Sequence, residues 1–150
     1  MDYKKLLTQV ERTLEQIETD ESPVTTVAQI AETIASNFRD QLGITGGRIY
    51  QLDGDLNCFA LVARFGEKTD GVLGIEVPRD YKPIELVLEN GIVVMDPTDP
   101  GVDPVLEERL GARRFCAIAV GDEDYIIAFD VSPQLGREDI LFSLNLIRRS

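Results

Sequence analysis

Two apolar runs in the C-terminal half of the sequence constrain the fold more than any other feature. They span residues 113–120 and 125–131 and are separated by only about four residues, so they can pair only as an antiparallel hairpin. Neither run alternates between apolar and polar residues. Phe115 would take one face and Cys116 the other, each with apolar neighbours two residues along. The hairpin must therefore lie centrally in a sheet covered on both sides, which predicts a three-layer α/β/α domain.

The composition favours one globular domain and argues against several functions. The chain has 150 residues, of which 43% are hydrophobic, and this suits a single sizeable core. Its formal net charge of -12 disfavours nucleic acid and anionic membranes as partners, because both repel an acidic surface. The absence of histidine excludes Ser-His and Cys-His catalysis and histidine-ligated metals. We find no signal peptide and no membrane-spanning apolar run, so we expect a cytoplasmic protein.

Two helices are expected at the N-terminal end. Across residues 2–19, apolar side chains recur every three or four positions, a pattern typical of a helical seam. The next helix, at about 25–41, has a wide apolar face that would cover the sheet, and Gly43 would end it. The seam could face either the domain's own sheet or a partner chain. Because this second helix competes for the sheet, we favour the partner chain and interpret residues 1–22 as a dimer or linker helix and residues 23–150 as the domain. The seam residues are Tyr3, Leu7, Val10, Leu14 and Ile17.

The rest of the chain predicts an alternation of short strands and helices. Turn-forming glycine, proline, asparagine and aspartate residues bound each element. We expect further strands at 46–53, 57–65, 71–77 and 92–95, and helices at 83–91, at 104–111 and from about residue 136 onward.

The order of these elements resembles that of a GAF domain, a small-molecule sensor module of signalling proteins. The likeness covers about residues 24–148 and is carried by PIELVLENGIVVMD at 83–96, LGARRFCAIAV at 110–120, IIAFDV at 126–131 and REDI at 137–140. One departure is Ala119-Val120-Gly121, where the family usually has a small-residue turn and Pro-Leu. The resemblance implies an α+β, GAF/PAS-like fold. In it, a three-layer α/β/α sandwich surrounds a central antiparallel sheet of five or six strands, with the terminal helices on one face.

The resemblance also implies a ligand pocket on the other face, beneath the short helices. Its floor would come from strand residues and its roof from the two short helices and the segments before them. The sequence does not identify the ligand, so the cofactor is unknown. The expected floor residues are Tyr50, Val62, Asp96 and Phe115, and the expected roof residues are Tyr81, Ile84, Glu85, Leu88, Val105, Leu106 and Arg109.

A metal site is a second interpretation of this region. An iron-binding, nitric-oxide-responsive activator of this family has arginine, aspartate and cysteine at loosely comparable places, and carboxylate with thiolate suits ferrous iron. The alternative is that the aspartates are turn residues of Asp-Pro pairs or strand-end caps, and that the cysteine is a core thiol. We favour this alternative and expect no metal. The candidate residues are Arg79, Asp96, Asp99, Cys116 and Asp130.

The resemblance implies a non-enzymatic sensor. A small-molecule effector would shift the terminal helices of a homodimer, and this helix bundle would regulate an output domain linked in a longer chain. Cyclic nucleotides remain open as ligands, because several cations could contact a phosphate. These cations are Arg79, Lys82, Arg109, Arg113 and Arg114.

Two other functions are weighed against the sensor. A ligand-free structural dimerisation module would have a closed aliphatic roof, whereas a sensor would have a cavity of several hundred Å³ with polar groups. A thiol-based methionine sulfoxide reductase needs an exposed nucleophilic thiolate and a resolving thiol. We discount the reductase, because Cys58 and Cys116 both lie in apolar runs.

Overall fold

The computed structural model describes residues 23–66, 73–110, 114–120 and 124–149. The predicted dimer or linker helix at 1–22 and the turn of the central hairpin lie outside these residues. In this part of the chain the helices are α1 (Pro23–Asn37), α2 (Arg39–Leu42), α3 (Lys82–Asn90), α4 (Pro104–Leu110) and α5 (Arg137–Arg149). The strands are β1 (Gly46–Asp53), β2 (Cys58–Gly66), β3 (Glu76–Pro78), β4 (Ile92–Met95), β5 (Phe115–Val120) and β6 (Tyr125–Asp130).

The six strands form one antiparallel sheet in the order β3-β2-β1-β6-β5-β4. β5 and β6 pair in a continuous register from Phe115 with Asp130 to Val120 with Tyr125. Each strand of this hairpin also has a neighbour on its outer side, so the predicted central position of the hairpin is confirmed. The predicted α+β class with a central antiparallel sheet is likewise confirmed.

The sheet separates two hydrophobic cores. On one face, Cys116 and Phe129 pack with Ile34 of α1 and Leu144 of α5, and we call this the helix-side core. On the other face, residues of the same two strands, such as Phe115 and Ala128, pack beneath α3 and α4. We call this second cluster the lid-side core and the two short helices the lid. The predicted division of the hairpin residues between two buried faces is confirmed.

The first helix differs from its prediction. In place of one helix at about 25–41, α1 starts at Pro23 and is interrupted at Phe38, whose φ of -110° and ψ of 12° leave the helical region. The Phe38 N–H still bonds to Ile34 O at 2.9 Å, and Phe38 and Leu42 are both fully buried in the helix-side core. Gly43 ends α2 in the left-handed conformation, at a φ of 63°, as the sequence predicted.

Strand β3 is shorter than expected. It covers only Glu76–Pro78, where the sequence predicted a strand at 71–77. Just before it, Gly74 N–H donates to Leu61 O at 2.8 Å, and Leu61 N–H donates to Ile75 O at 2.9 Å. The chain therefore stays hydrogen-bonded to β2 without regular strand geometry.

None of the described helices combines the length and the apolar character that crossing a membrane would require.

Candidate functional site

A small cavity lies in the lid-side core, between the sheet and the lid. Its volume is about 30 Å³, enough for a water molecule or two, because one water needs roughly 10–15 Å³. Most of the lining is aliphatic or aromatic, and the polar groups are the side chains of Arg48 and Glu107 and the hydroxyls of two tyrosines. The lining residues are Arg48, Tyr50, Val77, Tyr81, Pro83, Ile84, Val87, Glu107, Leu110, Phe115, Ala117, Ile126 and Ala128.

Arg48 provides the buried charge at the floor of the cavity, with only 2% of its surface exposed. Its Nη1 donates to both carboxylate oxygens of Asp130, at 2.9 and 3.1 Å, and its Nε donates to the Tyr50 hydroxyl at 3.1 Å. The guanidinium carbon lies 5.8 Å from the centre of the Phe115 ring, in a cation–π contact. Since a buried charge is costly unless it is paired, Asp130 is what allows an arginine at this position.

The side chain of Tyr81 connects the two parts of the lid. Its hydroxyl donates to Glu107 Oε1 at 2.8 Å and accepts a bond from the backbone N–H of Asp103 at 2.9 Å. Burial raises the pKa of Tyr81, so the hydroxyl keeps the proton that it donates. Tyr81 stands directly before α3, whereas Asp103 stands directly before α4 and Glu107 lies within it. We call this pair of bonds the Tyr81 latch.

Glu107 is a second buried ionisable group beside the cavity, 6% exposed. Burial raises its pKa, and the hydrogen bond from Tyr81 and the positive charge of Arg48 oppose this rise. No residue in the described ranges forms a salt bridge with it. Glu107 is therefore a carboxyl group kept from water without a cation of its own.

A group of ion pairs connects the loop after β4 to the start of α5. Asp96 lies 2.8 Å from Arg114 Nε and 2.8 Å from Arg137 Nη2. Arg137 Nη2 also donates to Asp99 Oδ2 at 2.9 Å. The pKa of Asp99 is lowered, first by the hydrogen bond from the Asp96 backbone N–H and then by Arg137. Because this loop leads into α4, the ion pairs place the first residue of α5 in contact with the segment that precedes α4.

Four of the eleven predicted ligand-contacting residues line the cavity: Tyr50, Tyr81, Ile84 and Phe115. Leu88 and Leu106 pack against the lid-side core without lining the cavity. Whether any of these six contacts a ligand stays a prediction.

The other five predicted residues lie away from the cavity. Val62 is 40% exposed, because Leu61 takes the inward position on β2 and the next side chain points away. Val105 and Arg109 are exposed because Glu107 and Leu110 take the buried side of α4. Asp96 belongs to the ion pairs described above. Glu85, on the outer side of α3, is exposed.

The five residues considered for a metal site do not converge. Cys116 lies in the helix-side core, and the Asp130 carboxylate is bonded to Arg48 on the lid side. Asp96 and Asp99 face Arg137, and Arg79 is exposed. Within the ranges that the structure describes, no three Cys, Asp or Glu side chains are grouped to hold a metal ion.

Sequence reasoning missed Arg48 and Glu107, and it considered Asp130 as a metal ligand or a strand-end cap but not as the partner of a buried arginine. One signal was available for Arg48, since it lies two residues before Tyr50 and so shares its strand face. A similar signal existed for Glu107, which is three residues before the apolar Leu110 on the same side of a helix.

Comparison with known proteins identifies the fold. No protein-family model matches the sequence, and no curated protein matches it either. Solved structures do match it. The GAF domain of an Acinetobacter phosphoenolpyruvate-protein phosphotransferase is 14% identical with a TM-score of 0.61, and the match covers 98% of this chain and 89% of that one. The A. aeolicus NLH2 GAF domain in an inactive state is 13% identical with a TM-score of 0.66, covering 97% and 91%.

A third match is an enzyme. The free methionine-R-sulfoxide reductase of Neisseria meningitidis, in complex with its substrate, is 17% identical with a TM-score of 0.62, covering 98% of this chain and 87% of that one. Most of the structural neighbours are GAF domains. This chain therefore has the fold of a GAF domain.

Proposed function

We propose that this chain is a sensor domain that binds a small ligand beneath the lid and regulates a linked output domain. The observation that carries the proposal is the polar lining of the cavity, where Arg48 and Glu107 are almost completely buried. A core that served only as a scaffold would be more stable with apolar residues there, because buried ionisable groups cost free energy unless they are fully paired. Proteins keep such costly groups mainly at functional sites.

The ion pairs after β4 provide a route from the cavity to the terminal helix. A ligand that displaced α4 would move the loop at 96–103, and this loop is bound to Arg137 at the first turn of α5. A change in the pose of α5 would then pass to a homodimer formed by α5 and the helix predicted from the sequence at 1–22. The dimer, the linked output domain and a cytoplasmic location are parts of this proposal.

The volume of the cavity favours a second candidate, a ligand-free structural dimerisation module. Ligand pockets usually enclose roughly 300–1,000 Å³, and this cavity encloses about 30 Å³. A sensor would thus require the lid to move outward when the ligand enters. A scaffold would require no such movement.

We propose that the domain acts without catalysis, although one structural neighbour is a reductase. Burial raises the pKa of Cys116 to about 12, and burial followed by the charges of Glu76 and Asp53 raises the pKa of Cys58. Both thiols are therefore protonated at neutral pH, and neither supplies the thiolate that a sulfoxide reductase needs.

Native mass spectrometry of the protein as purified, followed by the denatured mass of the same sample, tests the sensor against the scaffold. We expect the native mass to exceed the chain mass by a discrete increment per chain. Ala117→Val, which would fill part of the cavity, should remove the increment. Ala119→Val, two residues along the same strand face and outside the cavity lining, should retain it. A bare dimer for the unmodified protein would support the scaffold, and a bare monomer would contradict both.

A further inference from the structure

We propose that the cavity takes a small organic cation, an amine whose ammonium group pairs with Glu107 and whose apolar body lies against the aromatic and aliphatic lining. The inference rests on the proposed sensor function and names the chemical class of its ligand. It follows from the balance of charge around the cavity.

The positive charge in the cavity already has its counter-ion. Arg48 is the one cation among the described lining residues, and its Nη1 donates to both oxygens of Asp130. The shorter distance, 2.9 Å, is that of a charge-assisted hydrogen bond. A ligand carboxylate or phosphate placed at Arg48 would also approach Asp130 and Glu107. Two negative groups against one positive group would oppose an anionic ligand.

The Glu107 carboxyl is the acidic group of the described lining that has no counter-ion of its own. Among the described residues, Tyr81 is the only side chain that hydrogen-bonds to the Glu107 carboxyl, and it uses Oε1 alone. The second oxygen, Oε2, accepts none of the bonds from this part of the chain. An ammonium group placed against Oε2 would neutralise the site, and the Tyr81 latch would not have to break for the first contact.

The remaining lining fits the rest of such a ligand. Tyr50, Tyr81 and Phe115 border the cavity, and aromatic rings attract cations through their negative faces. Ile84, Val87 and Leu110 offer only apolar contacts. The present volume of about 30 Å³ holds little more than the ammonium head. The hydrocarbon body would enter as α4 moves outward, and this is the movement that the proposed signalling requires.

Three probes with one carbon skeleton test the class of ligand: 3-methylbutan-1-amine, 3-methylbutanamide and 3-methylbutanoate. We would titrate each into the full chain and follow the midpoint of thermal unfolding at constant pH and ionic strength. We expect the amine to raise the midpoint with increasing concentration and the carboxylate to have no specific effect. Glu107→Gln should weaken amine binding by about tenfold or more, because it removes a charge-assisted hydrogen bond.

Glu108→Gln is the matched control, since it makes the same substitution on the exposed side of the same helix. It should bind the amine as the unmodified chain does. In Glu107→Gln the side-chain amide keeps an oxygen for Tyr81, and the circular dichroism spectrum would verify that the variant is folded. Equal weakening by both variants would overturn the assignment of Glu107, because it would show a nonspecific effect of net charge.

Stronger stabilisation by the carboxylate or the amide would overturn the cation and leave the sensor proposal intact. If no probe stabilises the chain at saturating concentration, the cation is also overturned. The native mass measurement then decides the sensor separately, since a retained compound that is not an amine would preserve it and a bare chain would remove its support.

Discussion

The Tyr81 hydroxyl lies 2.8 Å from Glu107 Oε1, and this bond joins the segment before α3 to the buried side of α4. The same hydroxyl accepts the backbone N–H of Asp103 at 2.9 Å. A single side chain thus connects both helices of the lid above the cavity. Its position explains why a tyrosine, with one donor and one acceptor function on the same atom, suits this site.

Tyr81→Phe should open the lid with little change elsewhere. The substitution leaves the Asp103 N–H and the Glu107 carboxyl without their partner, so we expect a loss of about 1–2 kcal/mol in the free energy of unfolding. Hydrogen exchange should become faster at residues 103–110 in particular. Tyr125→Phe, which removes an exposed 3.3 Å bond from Gln51, is the control and should cost about 0.5 kcal/mol or less. Unchanged exchange at 103–110 would show that the latch does not hold the lid.

The buried carboxyl of Glu107 should make stability depend on pH. Burial raises its pKa, the Tyr81 bond and Arg48 oppose the rise, and Asp130 and Asp103 add to it. Tyr50, which also lines the cavity, stays protonated because burial raises its pKa. The folded state therefore holds the Glu107 proton to higher pH than the unfolded state does. Its stabilising contribution is present at low pH and is lost as pH rises from about 4.3, the usual glutamate value, through the folded pKa.

Glu107→Gln should remove this dependence. The variant is expected to be more stable than the unmodified chain above the folded pKa of Glu107, and the gap should close toward pH 4. Urea unfolding at a series of pH values measures both curves. Glu108→Gln, on the exposed side of α4, should show no such convergence. A gap that stays constant with pH would mean that Glu107 does not titrate differently in the folded state.

Asp130→Asn should be strongly destabilising, because it leaves the Arg48 charge buried without a counter-ion. Removing one partner of a buried pair typically costs about 3 kcal/mol or more. Adding Arg48→Met should recover a large part of the loss, since an apolar side chain of similar length needs no counter-ion. Asp124→Asn, at an exposed position just before β6, is the control. Chemical denaturation of the unmodified chain, the two single variants and the double variant forms a double-mutant cycle, and additive losses would show that the pair is not energetically linked.

Gly47→Ala should disrupt the contact between β1 and β6. A Cβ atom at this position would overlap the Ala128 carbonyl oxygen and would lie 2.5 Å from Cζ of Phe65. Backbone of a central strand cannot give way easily, so we expect a loss of about 3 kcal/mol or more. Gly54→Ala provides the matched control, because its Cβ would meet nothing within 4 Å. Equal midpoints of denaturation for the two variants would contradict this packing.

The sheet could be predicted from the sequence because its determinants are local. The runs at 113–120 and 125–131 are apolar on both faces, and only a central, doubly covered hairpin satisfies that pattern. The resulting two cores contain Cys116 and Phe115 on the expected opposite sides. The interruption of the first helix at Phe38 could not be predicted, because the apolar pattern continues through that residue, and Phe38 and Leu42 are both buried in the helix-side core.

The polar part of the candidate site depends on long-range pairing, which a pattern along one strand does not reveal. Arg48 is buried because Asp130, 82 residues away, binds it. Sequence spacing alone treats an arginine on a strand as a solvent-facing residue. The cavity volume is also beyond sequence reasoning, since it is set by side chains from several strands and both lid helices.

Arg137 provides the most direct test of the proposed route from the lid to the terminal helix. Its ion pairs with Asp96 and Asp99 are partly exposed, so Arg137→Gln should cost only about 0.2–1 kcal/mol of stability. The substitution should affect the local order of the loop more than the stability of the whole domain, because it removes the side chain that joins the loop to α5. We therefore expect faster hydrogen exchange at residues 96–103 and at the first turn of α5. Arg109→Gln, on the exposed side of α4, changes the net charge equally and should leave both segments unaffected. Equal exchange in the two variants would show that these ion pairs do not couple the loop to α5.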